Sequence, residues 1–303
     1  MDQRWVFIIN PIAGNGYAGY QTDKIKRLIK ERGLDAAVIH TEGKGHATEL
    51  AVEYADKGYQ NIVAVGGDGT FNETIQAILD REEITIGTVS AGTGNDFINI
   101  LGFSEHFTDR DWMIFFEQNT TKIDIGVCSG RYFLNGMGFG FDAQVASENY
   151  KDMQVKKGKK SKYWWHILKN LFFYVEKKMR IEVNNEKSEN RCFLTTIGNG
   201  RRFGGGFALT PKAYANDGLF DICFVKQISI PLRAKELVSV LKGTHIYDRI
   251  VQYFQSDKIR IEVDDEVPIH LDGELFFGTS FDVSLLPSKL KIIYNPYGNN
   301  YLK

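Results

Sequence analysis

The chain has few cysteines, almost no net charge and no long apolar run, and each shortage removes a class of protein. Its 303 residues include three cysteines, Cys128, Cys192 and Cys223. They lie far apart in apolar, strand-like stretches, without the spacing of a zinc site or the density of a disulfide framework. Buried free thiols in a reducing compartment are expected. With 37 Lys and Arg against 38 Asp and Glu, the formal charge is −1, which gives no general attraction to nucleic acid. No apolar run approaches the roughly 20 residues that span a bilayer. Met1-Asp2-Gln3-Arg4-Trp5 leads straight into a strand pattern and lacks the marks of a signal peptide. These features point to a cytoplasmic protein that can still touch the inner membrane surface. His40, His46, His106, His166, His245 and His270 show no ligand spacing, and no Gly-x-Ser-x-Gly element suggests a hydrolase.

What is present is an ordinary globular composition, 43% hydrophobic and 25% charged, with room for two cores. The first third alternates strand and helix. Strands are expected at Trp5–Asn10, Ala36–His40, Asn61–Val65 and Ile84–Val89. Helices are expected at Gly19–Arg32, His46–Lys57 and Phe71–Leu79, with another starting at Asn95. Such alternation implies a parallel α/β sheet with ligands at the carboxyl ends of its strands. After about residue 124 strand-like runs dominate: Lys122–Cys128, Tyr132–Asn135, Arg180–Asn184, Cys192–Ile197, Leu219–Val225, Ile259–Val263, Val267–Leu271 and Phe281–Leu285. Asn184-Asn185, Asn216-Asp217-Gly218 and Asp264-Asp265 mark turns between them. The expected architecture is an N-terminal parallel α/β nucleotide-binding domain, 1–124. A C-terminal antiparallel, β-rich, sandwich-like domain with a few helices follows at 125–290, and the segment 291–303 is expected to return to the first.

The glycine motifs fall at strand ends. Gly66-Gly67-Asp68-Gly69-Thr70 follows the apolar run Ile62–Val65 and precedes a helix, the geometry that brings backbone N–H groups to a phosphate. Phosphate repels the carboxylate of Asp68 unless a cation lies between them, so the motif suggests a nucleoside triphosphate with Mg²⁺. Gly92-Thr93-Gly94-Asn95-Asp96 gives a second glycine turn with another acid; by itself it would be a capped helix start. Asp124, between two isoleucines, could join Asp68 and Asp96 around a hydrated ion. Gly14-Asn15-Gly16-Tyr17-Ala18-Gly19 matches a dinucleotide fingerprint, with Glu42 placed as a ribose-binding acid. Pro11 and the gap after Asn10 loosen its first turn, and Tyr20 and Gln21 stand where a P-loop needs Lys and Ser or Thr.

Taken in order, Asn10-Pro11…Gly14, Gly66 to Glu73 and Gly92 to Phe97 resemble the diacylglycerol kinase catalytic domain family of bacterial lipid kinases, relatives of sphingosine and ceramide kinases. The resemblance continues through Asn135 to Ala143, Gly198-Asn199-Gly200, Phe203 to Gly206, Pro211-Lys212-Ala213, Asp217 to Asp221 and Asp272-Gly273-Glu274, so it covers nearly the whole chain. It implies ATP-dependent, Mg²⁺-dependent phosphorylation of diacylglycerol or a similar lipid alcohol. Asn10, Pro11, Ala13, Gly14, Thr41, Gly66, Gly67, Asp68, Gly69, Thr70, Asn72 and Thr93 would line the ATP site, with Ala13 where the family usually has serine. Asp68, Asp96 and Asp124 would form a water–Mg²⁺ network. A structural Mg²⁺ would sit on the Asp217 side chain and the carbonyls of Tyr214 and Leu219, although Asn216-Asp217-Gly218 alone also reads as a hairpin turn. Asp272 and Glu274 are the candidate bases, Asp272 ranked ahead, because apolar flanks could desolvate a carboxylate; the plainer reading is a charged hairpin tip.

Residues 151–180 carry ten basic residues against Asp152 and Glu176, followed by Tyr163, Trp164, Trp165, Phe172, Phe173 and Tyr174. This composition fits a peripheral membrane contact and equally a solvated lysine loop before a core helix. An exposed strand in the second domain could pair two copies. The competing functions are an NAD kinase-like phosphotransferase, which leaves Asn95-Asp96 and Asp272-Gly273-Glu274 idle, and a dinucleotide-dependent oxidoreductase, which leaves Gly66–Thr70 idle. A silent nucleotide-binding regulator is a further alternative, although nothing needed for chemistry is missing.

Overall fold

The computed structural model describes residues 4–155 and 160–303, the side chains of 150–155 and 160–163 excepted. The chain divides into two compact units, Met1–Ile125 with Ala215–Asp217 and Pro287–Lys303, and Gly126–Tyr214 with Gly218–Leu286.

The first unit opens with β1 (Trp5–Ile9), α1 (Tyr17–Arg32), β2 (Ala36–His40), α2 (His46–Asp56), β3 (Asn61–Gly66), α3 (Asp68–Ile75), β4 (Thr85–Ser90) and α4 (Asp109–Phe115). The strands pair in parallel in the order β2-β1-β3-β4, and Ile292 adds a parallel bridge beside Ile86. Every residue of β1, β3 and β4 is buried, as expected of a parallel sheet covered on both faces. Gly33 ends α1 in the left-handed conformation. Its N–H donates to Lys30 O, and the Leu34 N–H donates to Ile29 O, which satisfies carbonyls the helix leaves open. Thr108 and Asp111 form a reciprocal capping box at α4. The helix expected from Asn95 is instead a 3₁₀ turn at Ile98–Ile100. Asn95 has φ 54° and folds its side chain back onto both the N–H and the carbonyl of Gly92, so helical backbone cannot begin there.

The chain continues through β5 (Thr120–Cys128), β6 (Arg131–Phe133), β7 (Gly136–Gly140), α5 (Phe141–Val155), α6 (Lys160–Phe173), β8 (Lys177–Val183), β9 (Glu186–Gly198), β10 (Phe220–Lys226), α7 (Ile230–Lys242), β11 (Val251–Ser256), β12 (Lys258–Leu271) and β13 (Glu274–Ile293). β5 begins and β13 ends in the first unit. In the second unit the order is antiparallel, β11-β10-β9-β7-β12-β13. β8 occupies the far ends of the same gap, pairing β9 at 186–192 and β12 at 260–263. Where β12 changes partner from β8 to β7, its register breaks between Glu262 and Val267. Asp264-Asp265 therefore interrupts one long strand and does not separate two.

Alternation divides the sheet into two faces. Met137, Phe139, Ile197, Ile222, Phe224, Ile269 and Leu271 belong to one apolar core. Leu194, Cys223 and Val225 face the other, packed with Phe141 and Val145 of α5 and Ile167 and Leu171 of α6. The three cysteines are free and buried, and burial pushes all three thiols up, Cys128 to about 11.

α6 is apolar on both sides. Its buried positions include His166 and Asn170, both bonded to the Glu148 carboxylate of α5. Beside the buried Ile167 and Leu171 it carries a second, outward apolar set: Trp164, Trp165, Leu168, Phe172 and Phe173 are 46–76% exposed. Of the lysines counted on this stretch, Lys156, Lys157 and Lys159 lie outside the described residues, as do the side chains of Lys151, Lys160 and Lys162. Among the described residues no helix is long and apolar enough to cross a membrane.

Candidate active site

β1 has β2 on one side and β3 on the other, so the chain reverses its winding between β1 and β3. Open α/β sheets bind ligands at such a reversal, beyond the carboxyl ends of the strands. Three loops meet at that point. The first, 10–16, leaves β1: the Asn10 N–H donates to Val65 O and its side-chain amide donates to Thr70 Oγ1 at 3.1 Å. The second, 66–70, leaves β3. The third, 91–98, leaves β4 and begins with the Ala91 N–H donating to Gly66 O. Glycine is required where they touch. A Cβ on Gly14 would lie 2.3 Å from Ala91 O, and one on Gly92 would lie 2.3 Å from the Gly67 Cα.

Asp68 ties the second loop to the third. Its Oδ2 accepts from the Asp96 N–H at 2.6 Å, and its Oδ1 accepts from the Phe97 and Ile98 N–H groups at 3.2 and 3.3 Å. These are the open donors at the start of the 3₁₀ turn, and a carboxylate there also suits the positive end of the backbone dipoles. Around this knot, Gly16 and Gly69 have nothing within 4 Å of a built Cβ, so their backbones border open space. The structure thus brings together Asn10, Gly14, Gly66, Gly67, Asp68, Thr70 and Asp96. Thr41 is buried beside this group, its N–H donating to Ile9 O. Pro11, Ala13 and Asn72 are half-buried, with Asn72 accepting from Gln76 Nε2, while Gly69 and Thr93 are exposed. Glu73 was not singled out in the sequence; it accepts from the Gly45 N–H and holds the loop after β2. The dinucleotide fingerprint does not form its tight turn: Gly14 lies well beyond the end of β1, and Gly19 is inside α1.

Asp124 is buried. Its Oδ1 accepts from the Ser288 N–H at 2.7 Å and its own N–H donates to Ala215 O. Among the described residues no three His, Cys, Asp or Glu side chains are grouped to hold a metal ion directly. Asp217, expected to take a structural cation with the carbonyls of Tyr214 and Leu219, pairs with the Lys303 ammonium at 3.0 Å. That partner comes from the far end of the chain and has no signature near 217.

In the second unit, Asp272-Gly273 forms the two-residue turn between β12 and β13, with φ 49° and 87°. Asp-Gly favours this turn because both central residues need positive φ. The Asp272 carboxylate accepts from the Leu134, Asn135 and Gly136 N–H groups at 2.6–2.9 Å. Glu274 closes the turn opposite Leu271 and is exposed, as is Phe277. The flanks expected to shield Glu274 do not bury it, and Leu275 and Phe276 are themselves only half-buried.

Comparison with known proteins agrees with this geometry. Residues 4–128 match the family described as "Diacylglycerol kinase catalytic domain", and residues 135–294 match "YegS C-terminal NAD kinase beta sandwich-like domain". The chain belongs to the lipid kinase family that these two domains define, and it is a phosphotransferase of that family. Among its relatives, the Escherichia coli O127:H6 protein named "Probable lipid kinase YegS" is 30% identical over 87% of this chain and 88% of that one. The Bacillus subtilis strain 168 protein named "Diacylglycerol kinase" is 27% identical over 88% of each. A crystal structure titled as a diacylglycerol kinase from Bacillus anthracis str. Sterne superposes with a TM-score of 0.75 at 22% identity, covering 97% of each chain, and supports the fold.

Proposed function

We propose that the chain transfers the γ-phosphate of ATP to the hydroxyl of diacylglycerol or a related lipid alcohol, with Mg²⁺. The observation that carries this reading is the meeting of three glycine loops at the winding reversal, tied by Asp68. Backbone N–H groups of 66–70 and the Asn10–Thr70 pair would hold and orient the phosphates. Mg²⁺ supplies charge neutralisation on the phosphoryl oxygens. Asp68, Asp96 and Asp124 would hold it through water, which needs no direct cluster of three carboxylates. In the second unit we take Glu274 as the base, because three main-chain N–H groups already occupy the Asp272 carboxylate. Asp272 fixes the 134–136 segment and the turn that carries Glu274.

Purified protein with radiolabelled ATP and a lipid panel is expected to label an acylglycerol, with the signal lost on chelation of Mg²⁺. Glu274→Gln is expected to lower kcat by roughly two to four orders of magnitude with the KM for ATP unchanged. Absence of label on any lipid would overturn the reading.

The outward apolar face of α6 favours a lipid acceptor over a soluble dinucleotide. We assign it to docking on an anionic membrane surface, which the basic and aromatic composition of 151–180 fits. Trp165→Ser with Phe172→Ser is expected to weaken sedimentation with anionic vesicles at least ~tenfold, given about 1.5–3 kcal/mol per buried aromatic side chain. Turnover of water-soluble dihexanoylglycerol should stay the same. Equal vesicle binding by the variant would remove α6 from the interface.

A further inference from the structure

The 3₁₀ turn Ile98–Ile100 is held from two directions, and only one of them has a role above. At its entry Asp68 takes the Asp96, Phe97 and Ile98 N–H groups. At its exit three consecutive carbonyls are taken by the segment that follows β13. The Tyr301 N–H donates to Ile100 O at 2.9 Å, the Asn295 N–H to Leu101 O at 2.8 Å, and the Asn295 side-chain amide to Gly102 O at 2.9 Å. These are the carbonyls that a helical turn leaves open, and a 3₁₀ turn is held poorly by its own bonds. Leu101 and Asn300 add an antiparallel bridge. Both segments belong to the first unit.

The contact is built for close approach. A Cβ on Gly298 would lie 1.9 Å from Gly102 O, and one on Gly102, whose φ is 79°, would lie 2.7 Å from Asn295 O. Asn295 is 6% exposed. Its Oδ1 accepts from the Tyr297 N–H at 2.9 Å, so one orientation of the amide satisfies both of its ends. Asn300 locks the segment from within, its amide donating to Asn295 O at 3.1 Å and to Gly298 O at 3.4 Å. Asn95 closes the third loop onto Gly92, but Thr93 and Gly94 are exposed. Asp96 therefore takes its place from the turn that it starts.

We propose that 295–301 is the second anchor of the nucleotide loop and that Asn295 is a positioning residue for Asp96. It acts through the turn. Asp68 fixes one end and Asn295 the other, so Asp96 is presented to the metal of the nucleotide at one place and not over a range. Such precision matters because about 1 Å of misplacement can cost about a hundredfold in rate. The proposal rests on the phosphoryl-transfer reading and adds a remote residue to its metal side.

The test measures displacement of a fluorescent ATP analogue by ATP from the full chain, with Mg²⁺ and with chelator, at a temperature where melting curves show each protein folded. Asn295→Ala is expected to weaken binding with Mg²⁺ roughly tenfold and to leave binding in chelator unchanged. Asn295→Asp keeps the acceptor for the Tyr297 N–H but sets an oxygen against Gly102 O, so it should bind no better than the alanine variant. Thr108→Ala removes the α4 cap in the same unit; it should lower the melting midpoint and leave both affinities unchanged. If neither Asn295 variant folds, Asn300→Ala, which loosens the segment and keeps Asn295, carries the test with a several-fold effect. A merely structural role would reduce the fraction of protein that binds and not its affinity. Unchanged affinity with Mg²⁺ in the folded variants overturns the proposal, as does near-wild-type affinity in Asn295→Asp or an equal loss with and without Mg²⁺. Wild type that binds ATP no better with Mg²⁺ than without it sinks the reading beneath as well.

Discussion

Asp68→Ala is expected to lower kcat/KM for lipid phosphorylation by about three orders of magnitude or more, the scale of losing positioned phosphate contacts. The carboxylate holds the Asp96, Phe97 and Ile98 N–H groups. Without it these donors lose their common acceptor and the 66–70 loop loses its tie to 91–98. Hydrogen bonds to charged groups contribute about 1.5–3 kcal/mol each and do not add fully, so stability should also fall by a few kcal/mol. Asp68→Asn keeps one oxygen acceptor and should fall between wild type and alanine in both respects. Steady-state kinetics, ATP titration and urea unfolding on the three proteins separate the two losses. Turnover within tenfold of wild type for Asp68→Ala would remove the loop tie from the nucleotide site.

Arg233→Met is expected to cost about 3–5 kcal/mol of folding stability, the range for breaking one side of a buried ion pair. Arg233 and Glu176 are 6% and 5% exposed and bonded to each other. The guanidinium also donates to Leu171 O and Tyr174 O at 3.1 and 3.0 Å and to Ile228 O, and stacks over the Phe193 ring. It thereby closes the carboxyl end of α6 and joins it to α7. Methionine keeps the bulk but leaves Glu176 buried without its cation. Arg233→Met combined with Glu176→Leu should recover much of the loss, because an apolar pair of similar volume replaces a charged one at little cost. Urea midpoints measure both variants. A loss below 1 kcal/mol in the single variant would show that water reaches the pair.

The parallel half of the fold was legible because its signals are local. The apolar strands, the helix stop at Gly33 and the glycine turns each lie within a few residues of what they determine. The antiparallel half was less so. Gly136-Met137-Gly138-Phe139-Gly140 looks like loop by composition, yet it forms β7, because neighbouring side chains fill the space its missing Cβ atoms leave. α5, α7 and β11 were not separated from the surrounding runs. Phe281–Leu285 is only part of the 20-residue β13, whose exposed stretch after Glu274 mixes Phe, Thr and Ser. The site motifs stood out in the sequence, but their partners did not. Asp272 meets N–H groups 136–138 positions away, and His270 meets Asp142 across 128. No periodicity encodes pairs that only strand order brings together.

Asp68 grips the main-chain amides of 96, 97 and 98, and those three bonds are indifferent to which side chains stand there. Neutral drift there is limited by packing around Phe97 and Ile98 and by any separate role of Asp96. The one residue type barred from all three positions on the tie's account is proline, which has no amide hydrogen to offer.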